Sequence, residues 1–256
     1  MGESKQRLVV LGAGWLGKAL CINQQENGWL VQGTHRSEAH SHDFLRQLEL
    51  KNDQLHHQLD LENAWWVCAM PPRSRHADSN YQATLERSFA LAKQMNMQGF
   101  ILCSSTAVYG NNEQVYDEKS NIIVAGERQQ RLVDAEQYVL NNGGKVLRLA
   151  GLMGPNRDPG QFVAGKELSG SSQQVVNMVH QQDVINAIVT VCEHWQVAGS
   201  TYNVVNPSHP SKVDYYTQKC TQNGTPPPTF LSHEKAERII DGSAIESLGF
   251  TYQFDI

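Results

Sequence analysis

The sequence predicts an α/β fold: a doubly wound parallel sheet followed by a small C-terminal lobe. Three observations predict it. Short apolar runs end at glycine or proline, as strands buried on both faces do. Stretches of helical periodicity separate these runs, so strand and helix alternate. Beyond Gly151 the alternation loosens into segments rich in glycine, proline and serine.

Arg7–Leu11 (RLVVL) is the first strand, continuously apolar and stopped by Gly12. From Trp15 to Asn27 the pattern is helical, with Leu16, Ala19, Leu20 and Asn23 on one face and Gly28 as the stop. Leu30–Gly33 is the second strand, and a third strand-like stretch precedes Asp60-Leu61. Trp65–Met70 is another strand, ended by Pro71-Pro72. Asp78 to Met97 is a long helix with Leu85, Phe89 and Ala92 in register; Phe100–Cys103 follows as a strand. Glu127–Asn141 is helical through Leu132, Ala135 and Val139, and Lys145–Ala150 is a strand. Asp183–Trp195 is helical, Thr201–Val205 returns to the sheet, and a short helix is expected near Glu234–Ile240. The resulting division assigns 1–150, with 175–206, to a dinucleotide-binding domain. Segments 151–174 and 207–256 form the small substrate lobe. Right-handed crossovers place helices on both faces of such a sheet.

The chain has 256 residues, 40% hydrophobic and 18% charged, enough apolar residue for a sizeable core. A net charge of −5 without a Lys/Arg cluster argues against a nucleic-acid surface, and no basic amphipathic helix suggests a membrane partner. No segment reads as a signal peptide or as a membrane span of roughly 20 apolar residues. These features predict a cytoplasmic protein. The cysteines Cys21, Cys68, Cys103, Cys192 and Cys220 are scattered without a C-x-x-C, and read as small buried hydrophobes. The histidine pairs His40-Ser41-His42 and His56-His57 lack carboxylate or thiolate partners at metal-ligand spacing, so no metal is expected.

Gly12-Ala13-Gly14-Trp15-Leu16-Gly17 is a G-x-G-x-x-G that directly follows a buried strand and opens a helix. In that context it is the Rossmann-type phosphate-binding turn. Gly12 permits the tight turn, Gly14 lets the backbone approach a pyrophosphate, and Gly17 lets helix and strand pack closely. The bare N–H groups of the helix start then face the diphosphate. An NAD site usually places Asp or Glu about 20 residues on, against the ribose hydroxyls. Here that place reads Gly33-Thr34-His35-Arg36, with no carboxylate before Glu38. A cation beside a hydroxyl suits a 2′-phosphate, which favours NADP, with NAD as the alternative. Asp60 and Leu61 are placed beside the adenine, and Met70 and Pro71 near the pyrophosphate and ribose.

Further segments carry a family resemblance: Ser104-Ser105-Thr106-Ala107-Val108-Tyr109-Gly110, Leu147 to Pro155, Val176 to Asp183, Tyr202-Asn203-Val204 and Leu248-Gly249-Phe250. With Gly12–Gly17, in this order, they resemble the extended short-chain dehydrogenase/reductases, which include sugar-nucleotide epimerases and dehydratases. The chain is most similar to the small predicted sugar-nucleotide epimerases of that group. The resemblance implies hydride transfer on a small polar or nucleotide-sugar substrate, and leaves room for a homodimer. It puts Ser104 on the cofactor side, Ser105 at the family's catalytic Ser/Thr position, and Tyr109 in the V-Y-G motif at the substrate floor. The family's proton-transferring pair is Tyr-x-x-x-Lys, one helical turn apart. Here Ala125 stands at the tyrosine position and Gln129 at the lysine position, and no such pair occurs between Gly110 and Ala150. Either Tyr109, Glu127 or a substrate group supplies the proton, or the protein is a non-catalytic NADP(H)-binding sensor. Arg148 and His180 are expected to face the cleft or to pair with Asp183 or backbone. Gly160 to Glu167 nearly spells a nucleotide P-loop, but Glu167 replaces the Mg²⁺-binding hydroxyl, so it reads as a chance match.

Overall fold

The computed structural model describes residues 5–36, 42–72 and 80–256. In chain order the elements begin β1 (Arg7–Leu11), α1 (Trp15–Glu26), β2 (Leu30–His35), β3 (Leu45–Lys51), β4 (Gln54–His57) and β5 (Trp65–Cys68). They continue α2 (Tyr81–Gln94), β6 (Gly99–Ser105), β7 (Val115–Tyr116), α3 (Glu127–Asn141), β8 (Lys145–Leu149) and β9 (Gly151–Met153). Then come α4 (Pro159–Val163), β10 (Glu167–Ser171), β11 (Met178–His180), α5 (Gln181–Glu193), β12 (Thr201–Val204), α6 (Lys212–Asn223), β13 (Thr229–Ser232) and β14 (Ile239–Ile240). One sheet of eight strands has the order β12-β8-β6-β5-β1-β2-β3-β4. β1 pairs in parallel with β2 and β5, β2 with β3, and β5 with β6. β4 pairs antiparallel with β3, closing a hairpin. The expected α/β class is therefore the observed one.

Alternation along β1 explains the double winding. Val9 and Leu11 belong to the cluster that holds Trp66, Leu85, Phe89 and Phe100, with Ala135 and Val139 from α3. Val10 faces the other way, toward α1: a Cβ on Gly17 would lie 3.0 Å from its Cγ1. Successive side chains of one buried strand thus anchor two helix layers. The β3–β4 hairpin turns at Asn52-Asp53, both at positive φ (48° and 60°), the conformation that tight two-residue hairpin turns require. Gln32 on β2 clamps the segment after β4: its amide oxygen accepts from the Asp60 N–H at 3.1 Å, and its amide nitrogen donates to the Asp60 carboxylate.

The chain divides into two compact units. One comprises Met1–Ser104, Val124–Leu147 and Val191–Thr201; the other comprises Ser105–Ile123, Arg148–Thr190 and Tyr202–Ile256. The first holds the core just described, and its Cys21 and Cys68 are buried, which pushes both thiols up to about 12. The second contains three two-stranded parallel pairs, β9 with β11, β10 with β13 and β7 with β14. Met153, Val176, Tyr215 and Ile256 form a small core within it. Among the described residues no helix is long and apolar enough to cross a membrane.

Two expectations change. Glu234–Ile240 is not a helix: Ala236 bridges to Gln174, and Ile239-Ile240 pairs with Val115-Tyr116. Its few apolar residues fit either period, and two β-branched isoleucines take the strand. The helix of this region is α6, which sequence periodicity did not expose. It is marked by Ser211, whose hydroxyl accepts from the Asp214 N–H at 3.2 Å, and by Gly224 at φ 64° beyond its last turn. The long helix expected from Asp78 is α2; Asp78 itself, like Glu38, lies outside the described residues.

Two glycines of the first turn answer to different constraints. At Gly17 a Cβ would approach the Gly12 carbonyl oxygen to 2.2 Å, whereas at Gly14 it would meet nothing within 4 Å. Gly17→Ala is expected to cost about 1–3 kcal/mol, the usual penalty of overpacking. Gly14→Ala is expected to stay within about 0.5 kcal/mol of the parent. Urea denaturation midpoints check both.

Candidate functional site

The turn between β1 and α1 is held by one threonine. Gly12 sits at φ 87°, its N–H donating to the Thr34 hydroxyl oxygen at 2.9 Å. The Ala13 N–H donates to the Thr34 carbonyl at 2.8 Å. Thr34 is buried at the end of β2, so the first strand's turn is tied to the second strand. Gly14 then starts α1, which has neither a side-chain cap nor an acidic residue in its first turn. Such an uncapped start presents backbone N–H groups at the positive end of the helix dipole.

A cavity of about 630 Å³ opens above this turn. It brings together Gly12, Gly14, Thr34, His35, Arg36, Met70 and Pro71, all expected from sequence. Met70 sits hard against the turn, where a Cβ on Gly12 would lie 2.8 Å from its Cγ. Trp15, Leu16 and Gly17 form the first turn of α1, outside the cavity lining. Asp60 and Leu61 are also outside it: Gln32 holds Asp60, and Leu61 packs against the core. His35 and Arg36 are exposed at the end of β2. The Arg36 carbonyl accepts from the Gln47 side chain at 3.1 Å.

Sequence reasoning missed the remaining walls. Leu48, Glu49 and Leu50 reach the cavity from β3 because β3 pairs with β2 at Gly33–His35. Glu49 forms an ion pair with Lys51 at 2.8 Å. Asn80, Tyr81 and Thr84 come from the start of α2. Helical periodicity marked α2 as a helix but gave no sign that its first turn faces a cavity.

Ser104 is buried in the first unit, and its hydroxyl donates to Glu136 of α3 at 2.5 Å. Ser105 belongs to the second unit, where its side chain accepts from the Ala107 N–H at 3.2 Å and caps the short helical turn Thr106–Tyr109. Tyr109 is fully buried in that unit. Its hydroxyl accepts from Arg148 at 2.8 Å and donates to the Asn203 side chain at 2.8 Å. Burial raises the phenol pKa more than the adjacent Arg148 guanidinium lowers it. The Asn203 N–H in turn donates to Glu118 at 2.6 Å. His180 accepts from the Gln182 N–H at 3.1 Å and stacks on Phe254, while Asp183 accepts from the Gln253 and Phe254 N–H groups.

Ala125 is exposed just ahead of α3, and Gln129 lies half-buried in that helix's first turn. The chain does carry one Tyr-x-x-x-Lys, Tyr215 to Lys219 on α6. The Lys219 ammonium lies 5.8 Å from the Tyr215 ring centre. The Tyr215 hydroxyl, however, is enclosed, donates to the Met153 sulfur at 3.3 Å, and is pushed up in pKa by burial. A sealed phenol of that kind is not placed to pass a proton. The P-loop-like segment also has the wrong order, with helix α4 preceding strand β10, and Lys166 donates to the Phe162 carbonyl at 2.5 Å.

No protein-family model matches the chain. It is similar to several solved structures. MoeE5, in complex with UDP-glucose and NAD, superposes with a TM-score of 0.79 at 19% identity, over 98% of this chain and 94% of that one. UDP-N-acetylglucosamine 4-epimerase from Bacillus cereus gives 0.76 at 14% identity, over 98% and 92%. At such identities the likeness establishes the fold alone. Protein YeeZ of Escherichia coli K12 is a closer match in sequence, 30% identical over an alignment of 268 positions that spans 97% of this chain and 96% of YeeZ. Matched along nearly its whole length at that identity, the chain belongs to the YeeZ family.

Proposed function

We propose that this protein binds NADP(H), with NAD as the alternative occupant, and acts by hydride transfer on a small polar substrate of the nucleotide-sugar class. Gly14 carries the reading. Its backbone (φ −80°, ψ −153°) suits any residue, and a side chain there would meet no protein atom within 4 Å. Nothing in the fold asks for glycine at 14. A diphosphate lying against the backbone does.

The residues present fit that group. Gly12 and Gly14 let a diphosphate approach the backbone closely, and the uncapped start of α1, from Trp15 through Leu16 to Gly17, turns the positive end of its dipole toward it. Thr34 acts as a positioning residue by holding the Gly12 N–H. Arg36 meets a 2′-phosphate, with His35 beside it. Met70 and Pro71 form a wall of the cavity. When bound, the nicotinamide ring supplies a site that accepts or returns a hydride. The substrate class follows from the company the fold keeps: MoeE5 is described with UDP-glucose, and the Bacillus cereus protein is a UDP-N-acetylglucosamine epimerase. Tyr109, whose hydroxyl is spent on Arg148 and Asn203, holds the floor of the second unit. With Ala125 and Gln129 at the usual positions, proton transfer falls to another group of the protein or of the substrate.

Calorimetry with NADPH tests the carrying observation: Gly14→Val is expected to lower affinity at least about tenfold, an added side chain displacing the diphosphate by more than 1.4 kcal/mol. Arg36→Ala is expected to weaken NADP(H) by ten- to a hundredfold, roughly 1.5–3 kcal/mol for a charged hydrogen-bonded contact, and NAD(H) far less. An equal loss for both dinucleotides removes the preference for NADP. Turnover is expected on at least one member of a nucleotide-sugar panel. Bound dinucleotide with no turnover across the panel removes the enzymatic half of the reading.

A further inference from the structure

Buried tyrosines ordinarily find a partner for the hydroxyl. Here Tyr109 bonds Arg148 and Asn203, Tyr215 bonds Met153, and Tyr252 bonds the Val205 N–H and the Gly242 carbonyl. Tyr116 has none and is sealed off from solvent. Tyr81 is the contrasting case. It is 7% exposed, its ring is part of the main core, and among the described residues no donor or acceptor meets its hydroxyl. That hydroxyl is not sealed, because Tyr81 lines the cavity above the glycine turn.

The neighbouring surfaces narrow what it could meet. Leu48, Leu50, Met70 and Pro71 give that flank of the cavity apolar walls. Thr84, the next residue on the same helix face, already donates its hydroxyl to the Asn80 carbonyl at 2.8 Å. Tyr81 therefore offers a hydroxyl donor among apolar surfaces. Burial, with Cys68, Cys103 and Glu136 nearby, raises its pKa well above that of a free phenol, so it stays protonated and donates. An apolar slot with this donor, next to the Asn80 side chain, suits a heteroaromatic base, whose faces want apolar contact and whose ring nitrogens accept. The slot also lies at the correct end. Arg36 marks the adenosine ribose in the reading above, and β3 runs beside β2 with His35 opposite Gln47, which brings Leu48 and Leu50 next to Arg36.

We propose that Tyr81 is a recognition residue for the purine end of the dinucleotide, its phenol donating to an acceptor on the adenosine while Leu48, Leu50 and Met70 flank the base. This rests on the dinucleotide reading, and deepens it by assigning a base seat and a donor.

The test compares wild type with Tyr81→Phe, using NADPH and ADP-ribose as calorimetric ligands and melting temperature as a control. Among the described residues the lost oxygen has no partner, so the melting temperature is expected to hold. Affinity is expected to fall roughly three- to tenfold, the worth of one neutral hydrogen bond, and by the same factor for both ligands. Unchanged affinity overturns the proposal. So does a loss confined to NADPH, which would put the hydroxyl at the nicotinamide or the 2′-phosphate, the two groups ADP-ribose lacks, or a lowered melting temperature, which would make its role structural. Wild type that takes up neither ligand sinks the dinucleotide reading, and this inference with it.

Discussion

The structure of the first unit depends on the closeness of three backbones: the turn at Gly12, the helix turn at Gly17 and the end of β2 at Thr34. The Gly12 carbonyl packs against Gly17, and the Gly12 and Ala13 N–H groups are taken by Thr34. These bonds satisfy the polar groups of the turn itself, which a buried backbone requires. The same packing sets Met70 beneath the turn and so fixes where the cavity begins. A strand–turn–helix fold of this kind builds that end of the cavity from main chain, so local sequence determines it strongly and side-chain identity weakly.

The second unit is organised on the opposite principle. Arg148, Tyr109, Asn203 and Glu118 form a chain of hydrogen bonds, with at least one side chain in each, between residues up to 94 positions apart. Every member satisfies another in a region of low exposure, and such networks rigidify when complete and are costly when broken. Arg238 extends this pattern, donating to the Gly110 and Thr106 carbonyls on either side of Tyr109. The V-Y-G segment is thereby fixed by three distant parts of the chain.

This contrast explains what could be read in advance. The β1–turn–α1 unit was legible because a buried strand, three glycines and a helix pattern are contiguous, and each has a local cause. Arg36 and Thr34 were legible by their distance from that turn. Leu48, Glu49 and Leu50 were not, since they reach the cavity only through the register between β2 and β3, which follows from the tertiary fold. Tyr81 sat in plain view at the head of a helix, but no local pattern tells which way a first-turn phenol points. Two signals were available and unused: Asn52-Asp53 as a hairpin turn, and Ser211-x-x-Asp214 with Gly224 as the ends of α6. The spacing of Tyr215 and Lys219 shows the converse limit, since a motif string can be complete and its hydroxyl buried away from any substrate.

Gly14 has a consequence of another kind. Its neighbours Gly12 and Gly17 would persist in any descendant that still folds, because the chain itself enforces them. Gly14 answers to no internal constraint, so neutral drift would erase it once nothing pressed against that backbone. It works as a gauge of continued use, readable without an assay. Gly14 and Ala125 therefore pose two separate questions of this chain, what lies against the turn and what moves a proton.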